Sequence, residues 1–303
     1  MDGLGTLGLR RYATLGLALT VGAALASRPA MAAAAIPNFA PNPQTSWYPP
    51  GQYGDDFLPP ESGPGPVLSP PEHPYRPNDI GGQSDAASNP TYRVADLTNP
   101  ILQPWTLEPM RRWNEMALTG EKIPFTARER CFPPGVPAWH VFRRVAAPMI
   151  FFVQSPKIVW MIWRGDNQVR RVYMNVPHSA NPKPSWHGES VGHYEGGDTL
   201  VVDTIAIKAH PFSFVDNYRT PHTDQLHVVE RFRLHDGGKA IEVKIHVEDP
   251  GAFTTPWNAV QRLAASTRGI LEESVCAEMG FSPGADYFGL QSVSIPQTDK
   301  PDF

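Results

Sequence analysis

Two carboxylates occupy positions where a strand should be apolar. In TLVVDTIAI, alternation of side chains groups Asp203 with Val201, Ile205 and Ile207. In LHVVERFRL it groups Glu230 with Leu226, Val228, Phe232 and Leu234. An ionised carboxylate on a buried face costs several kcal/mol unless it is paired or protonated. Burial drives its pKa towards neutrality, where it serves as a general acid or base. The chemistry to expect is therefore proton transfer through Asp203 and Glu230. The structural alternative is an ion pair to an inward arginine, Arg171 or Arg164, that fixes strand register.

Histidines gather around the same segments. Of ten in the chain, His178, His222 and His227 are placed to orient a substrate or share a proton with the two carboxylates. Two histidines and a carboxylate would also suit zinc or iron. The spacing from His222 to His227 is not diagnostic of a metal site, so no cofactor is expected. Ser190 lies in GESVG, a match to G-x-S-x-G, but a nucleophile elbow needs a strand–turn–helix context and this serine sits inside a strand. Ser190 is better read as a ligand contact, together with Trp160, Arg171, Tyr173, Trp186 and Tyr194. The competing role for the aromatic members is ordinary core packing.

These residues must be held by strands. GESVGHYE and TLVVDTIAI flank Gly196-Gly197-Asp198, which is a strong hairpin signal because tight turns need positive φ. Further strand patterns are MIFFVQSP, KIVWMIWRG, QVRRVYMNV, LHVVERFRL and AIEVKIHVE, with a shorter one through Val260 to Leu263. The strand AIEVKIHVE alternates cleanly, with Ile241, Val243, Ile245 and Val247 facing in. A long loop, Lys208 to Gln225, interrupts the series. A helix is predicted over Leu107 to Leu118, stopped by Gly120. Such a series of strands must close or be covered at its edges. The expectation is a mainly β protein, an antiparallel lipocalin-like barrel or strongly curved sheet enclosing a ligand cavity, with a two-sheet sandwich as the alternative.

The 303-residue chain has 34 prolines and 25 glycines and a formal charge of −4. That balance, with no basic stripe, argues against nucleic acid as partner. Residues 1–32 read as an export signal: Arg10-Arg11, a short apolar run from Leu15 to Ala26, and a cleavage site at Ala30-Met31-Ala32. Both the general secretory and twin-arginine routes fit. No later segment is apolar enough to anchor the mature chain in a membrane as a helix, and a periplasmic or secreted location is expected. Residues 33–100 are rich in proline, glycine, serine and asparagine and read as an extended or disordered arm. Its aromatic residues Trp47, Tyr48, Tyr53 and Phe57 leave room for it to wrap the domain. Residues 101–290 form a single β domain, and 291–303 a tail. Two cysteines, Cys131 and Cys276, in an exported chain suggest a disulfide worth about 4–5 kcal/mol in the chain-entropy model. Two buried free thiols are the alternative.

From Cys131 to about Cys276 the chain resembles a widespread, largely uncharacterised family of exported bacterial β proteins. The residues that carry this are CFPPGVP, RRVYMNVPH, WHGESVGHYEGGDTLVVDT, LHVVERFR and EDPGAFTTPW. The family pattern falls on His178, Trp186, Ser190, Glu195, Asp198, Asp203, His222, His227, Glu230, Arg231, Asp249 and Trp257. Two departures stand out: Gly197 is an extra residue in the hairpin turn, and Asn175 replaces a usually acidic position. The resemblance implies kinship rather than a reaction. From the residues themselves, the expectation is a cofactor-independent isomerase, lyase or hydrolase acting on a small, partly apolar organic molecule. The alternatives are a non-catalytic barrel for a hydrophobic ligand and an envelope protein that docks a partner through its proline-rich arm.

Overall fold

Strand-forming residues at period two account for most of the fold. The computed structural model describes residues 36–50, 56–74, 93–119, 131–141, 149–164, 168–267, 271 and 273. The chain divides into residues 1–33 and a unit from Ala34 to Phe303. The export signal, Tyr53, Gly120, Cys276 and the tail lie outside the described residues, and the Cys131–Cys276 disulfide remains an expectation for that reason.

Nine strands close into a barrel in sequence order. They are β1 (Ser46–Tyr48), β2 (Ile150–Gln154), β3 (Ile158–Trp163), β4 (Gln168–Met174), β5 (Glu189–Glu195), β6 (Thr199–Ile205), β7 (His227–His235), β8 (Ala240–Glu248) and β9 (Trp257–Ser266). All neighbours are antiparallel except β4 and β5, which run parallel because the long connection after Met174 crosses back. The β5–β6 hairpin forms as expected, with Glu195 opposite Thr199 and positive φ at both Gly196 (58°) and Gly197 (78°). Closure removes the exposed edges that an open sheet of this size would present.

The described parts of the proline-rich stretch, residues 36–50 and 56–74, are built into the domain. Strand β1 pairs with both β2 and β9 and so completes the barrel. Phe39 and Trp47 are fully buried, Phe57 and Val67 nearly so, and the Trp47 indole donates to the Phe39 carbonyl at 2.8 Å. Prolines deny the stretch regular structure, but its aromatic residues supply enough apolar area to hold it on the barrel.

The helix, α1 (Pro104–Thr119), begins at a proline, a favoured first position because that N–H has no intrahelical acceptor. Thr106, Met110, Asn114 and Ala117 recur at helical spacing and are buried. Asn114 anchors this face by bonding both the N–H and the C=O of Ala95, at 2.8 and 2.9 Å. Trp105, Pro109, Trp113 and Met116 form an adjacent stripe that is only partly covered.

Buried apolar side chains line the barrel interior: Leu200, Val202, Val228, Phe232, Val243 and Ile245 are each at most 1% exposed. A single 3-10 turn, Ala138–His140, inserts Trp139 and His140 into the lumen, where both rings pack on Phe232. Trp139 and His140 therefore occupy space expected to hold a ligand. Among the described residues no helix is long and apolar enough to cross a membrane.

Candidate functional site

The two carboxylates lie on opposite faces of the barrel wall. Val202 is paired with Glu230, and Asp203 with Val229, so side-chain alternation sends Glu230 inward and Asp203 outward. Leu200, Val202 and Thr204 are the inward residues of β6. The expectation that Asp203 and Glu230 share a pocket is thereby overturned. The physical reason is that β6 is apolar on both faces: Val201, on the outer face, is only 4% exposed, and alternation alone does not show which apolar face points inward.

Glu230 is sealed in a charge network. Arg170 grips it with both terminal nitrogens, Nη1 lying 3.0 Å from Oε1 and Nη2 closing on Oε2. Arg170 also donates to Ser190 Oγ at 3.1 Å and to Thr204 Oγ1 at 2.8 Å. His140 Nε2 and Trp139 Nε1 complete the carboxylate shell at 2.6 and 3.1 Å from Oε1. Burial works to raise the Glu230 pKa, but the Arg170 charge and the His140 contact outweigh it and hold the carboxyl at about 2. Burial lowers the pKa of His140, so its Nε2–H donates to Glu230. Glu230 is thus a fixed anion held by Arg170, His140 and Trp139. The inward arginine is Arg170, not Arg171 or Arg164. Val172 and Met174 are the other inward residues of β4, and Arg171 points to solvent.

Asp203 belongs to an outer network. Its Oδ1 receives His227 Nε2 at 2.9 Å and His178 Nε2 at 3.0 Å. His178 Nδ1 lies 3.2 Å from Glu189 Oε1. His227 Nδ1 lies 3.6 Å from Glu248, which also meets His246 at 2.8 Å. The His227 bond is the largest influence lowering the Asp203 pKa, and the same bond raises that of His227. The sequence reading thus brings His178, His227 and Asp203 together correctly, but on the outer wall. Among the described residues no group of three or more His, Cys, Asp or Glu is arranged to hold a metal ion.

The remaining expected ligand contacts are dispersed. Tyr173 is 42% exposed on the outer wall, and Trp160 stands opposite Arg171 on the same face. Ser190 is buried in the Arg170 network. The Tyr194 hydroxyl accepts from Gln154, whose side chain also bonds Pro37 and Phe39, so Tyr194 helps fasten the N-terminal stretch. Trp186 stacks on Phe132 at 4.9 Å.

His222 stands apart from both networks and borders a groove of about 830 Å³ between α1 and the loop after β6. Trp105, Pro109, Trp113 and Met116 form its helical wall, and Pro211, Phe214 and Pro221 the opposite one. Trp113 meets Phe214 edge-on at 6.3 Å, and the Arg219 guanidinium lies 5.6 Å above the Trp113 ring. The loop is rigidly built. Asp216 accepts from Tyr218 N, Thr220 N and Thr220 Oγ1 at 2.8, 3.1 and 2.7 Å. Burial raises the Asp216 pKa to about 6. An isolated antiparallel bridge between Phe214 and Pro221 sets Ser213 across from His222. The Ser213 hydroxyl lies 2.7 Å from His222 Nε2, and His222 Nδ1 lies 2.8 Å from the Thr223 carbonyl.

Sequence reasoning found His222 but missed Ser213, Arg170, Trp139 and His140. Arg170 was accessible from the apolar alternation of Val172 and Met174. Trp139 and His140 follow a rigid CFPPGVP segment, but nothing local indicates that they enter a barrel. No family model matches the chain, and no curated protein matches it.

Proposed function

We propose that this is an exported protein that binds a small, partly apolar organic molecule, and that its site is the groove beside α1 rather than the barrel lumen. The observation that carries this reading is the aromatic and proline-lined groove of about 830 Å³, which lies within the size range of small-molecule sites. Its walls are mostly apolar, and a few polar groups, His222, Ser213 and Arg219, are held on a stiff loop where they can fix ligand orientation. In the lumen, Trp139 and His140 pack beside Glu230 and take up space that a ligand would need. The Arg10-Arg11 pair, the apolar run after it and the Ala30-Met31-Ala32 site support export. N-terminal sequencing of the mature protein is expected to begin near Ala33.

Binding is tested with N-phenyl-1-naphthylamine, an uncharged apolar fluorophore. The dye is expected to brighten with the wild-type protein. Trp113→Ala and Met116→Glu should weaken its affinity at least about tenfold, the equivalent of roughly 1.4 kcal/mol. Tyr173→Ala on the outer barrel wall should leave it unchanged. Equal dye binding by all four proteins would remove the groove from consideration.

A further inference from the structure

We propose that Ser213 and His222 form a nucleophile–base dyad that hydrolyses small esters bound in the groove. This rests on the groove being the ligand site and adds a reaction to it. The proton positions follow from the acceptors. The Thr223 carbonyl can only accept, so His222 Nδ1, 2.8 Å away, must carry the ring hydrogen. Nε2 is then a lone pair, and the Ser213 hydroxyl 2.7 Å from it must be the donor. A serine donating to an imidazole whose other nitrogen is fixed by a third group is the arrangement that activates a hydroxyl nucleophile.

The surroundings favour that role. Both residues border the groove. Burial lowers the His222 pKa, which keeps the imidazole neutral and able to accept a proton. Asp249 accepts from Thr223 N and Thr223 Oγ1, both at 2.6 Å, and so fixes the residue whose carbonyl orients His222. The Asp249 charge acts on His222 to raise its pKa, in the sense that stabilises an imidazolium. Arg219, whose guanidinium lies over the Trp113 ring, borders the same groove.

The reaction balances with water as the only co-reactant. Ser213 Oγ attacks the ester carbonyl carbon while its proton passes to His222 Nε2. The tetrahedral intermediate collapses, the C–O bond to the alcohol breaks, and the alkoxide leaves with the proton from His222. Water then attacks the acyl-serine carbonyl as His222 takes its proton. Ser213 Oγ departs and recovers that proton, leaving the carboxylic acid. The base is oriented by a neutral carbonyl rather than a carboxylate, so an ester, with its better leaving group, suits this dyad more than an amide. The apolar walls select an acyl or alcohol part of aliphatic or aromatic character.

The test uses the full chain with p-nitrophenyl butyrate. Wild type should release nitrophenolate, and Ser213→Ala should lose about 100-fold or more of that rate. The rate should fall as pH drops below the ordinary histidine range, since protonated His222 cannot act as base. A fluorophosphonate probe should add covalently to Ser213 and no other serine, as read by peptide mass. Because Ser213→Ala removes only a hydroxyl, naphthylamine binding by that variant checks the groove independently. Dye binding with no Ser213-dependent hydrolysis and no adduct would overturn the dyad and leave the binding reading intact. Loss of the Trp113→Ala effect on both dye and ester would overturn both together.

Discussion

Removing the charge of Glu230 tests the central feature of the barrel. Glu230→Gln keeps the side-chain shape but leaves the Arg170 guanidinium, itself 2% exposed, without a counter-ion. Two routes give the magnitude. Breaking a buried ion pair from one side costs roughly 3–5 kcal/mol. Independently, the carboxyl is held at about 2 against an ordinary value of 4.5, and at 1.36 kcal/mol per pH unit this corresponds to roughly 3 kcal/mol favouring the anion in the fold. Both place the loss near 3–5 kcal/mol, or about 6–20 °C in Tm for a domain of this size. Arg170→Met should cost a similar amount by stranding the carboxylate. The double variant Arg170→Met/Glu230→Gln should cost much less than the two single variants summed, because neither charge is then left alone. Urea unfolding followed by tryptophan fluorescence measures all four corners, and Trp139, in contact with Glu230, reports directly on the site. Single losses below about 1 kcal/mol that simply add would refute the claim that this pair is desolvated and coupled.

Acid should destabilise the protein in two stages. His140 and His187 have pKa values lowered by burial, His187 to about 4, so their contribution is complete above the ordinary value of 6.5 and is lost as pH falls below it. Glu230 adds stability above 4.5 that is lost towards about 2. Melting temperatures should fall between about pH 6.5 and 3, where these losses together exceed the opposing gain from Asp216, whose pKa burial raises to about 6, and a flat profile would contradict the burial of these groups. His227 has the opposite sign: its pKa is raised by Asp203, so its contribution is present below 6.5 and lost as pH rises through the higher folded value. Asp203→Asn should return the His227 titration, followed by NMR, towards its ordinary midpoint with a stability change below about 1 kcal/mol. An unchanged midpoint would break the proposed coupling. Trp47→Ala should cost about 3–5 kcal/mol, because this fully buried residue belongs to the strand that closes the barrel. Retained stability would restore the proline-rich stretch to the status of a separate arm.

The strands were legible because alternation is a local property. β7 was read correctly on both faces, and the hairpin at Gly196-Gly197-Asp198 has the pairing its residues imply. β6 is ambiguous by the same pattern. Its two faces carry Leu200 and Val202 on one side and Val201 and Ile205 on the other, and only the register against β7 tells them apart. Asp203 shares its face with Val201 and Ile205 as alternation requires, but that face is the outer one. Composition likewise leaves open whether the 33–100 stretch stands apart or wraps the domain, and its described parts pack on the barrel. Proline content reports the absence of regular hydrogen bonding, whereas burial of Phe39, Trp47 and Phe57 depends on the barrel surface available to them.

The groove site was hidden for a different reason. His222 was visible as a histidine near a strand start, but Ser213 lies in a loop with no periodicity to interpret. Their meeting depends on the bridge between Phe214 and Pro221 and on Asp216 tying Tyr218 and Thr220. Those contacts turn a long loop into a short hairpin-like unit whose ends face one another. The signal in retrospect is the loop's content: a buried-type aromatic and aliphatic run, FSFVDNY, directly before Arg219 and TPHTD. A surface loop free in solvent has no use for that run. Its burial implies that the loop packs against a second element, and the uncovered stripe of Trp105, Trp113 and Met116 on α1 lies across the groove from it. The chemistry proposed for this chain therefore lies where a rigid loop meets a helix outside the barrel, while the charged pair inside the barrel is sealed from solvent.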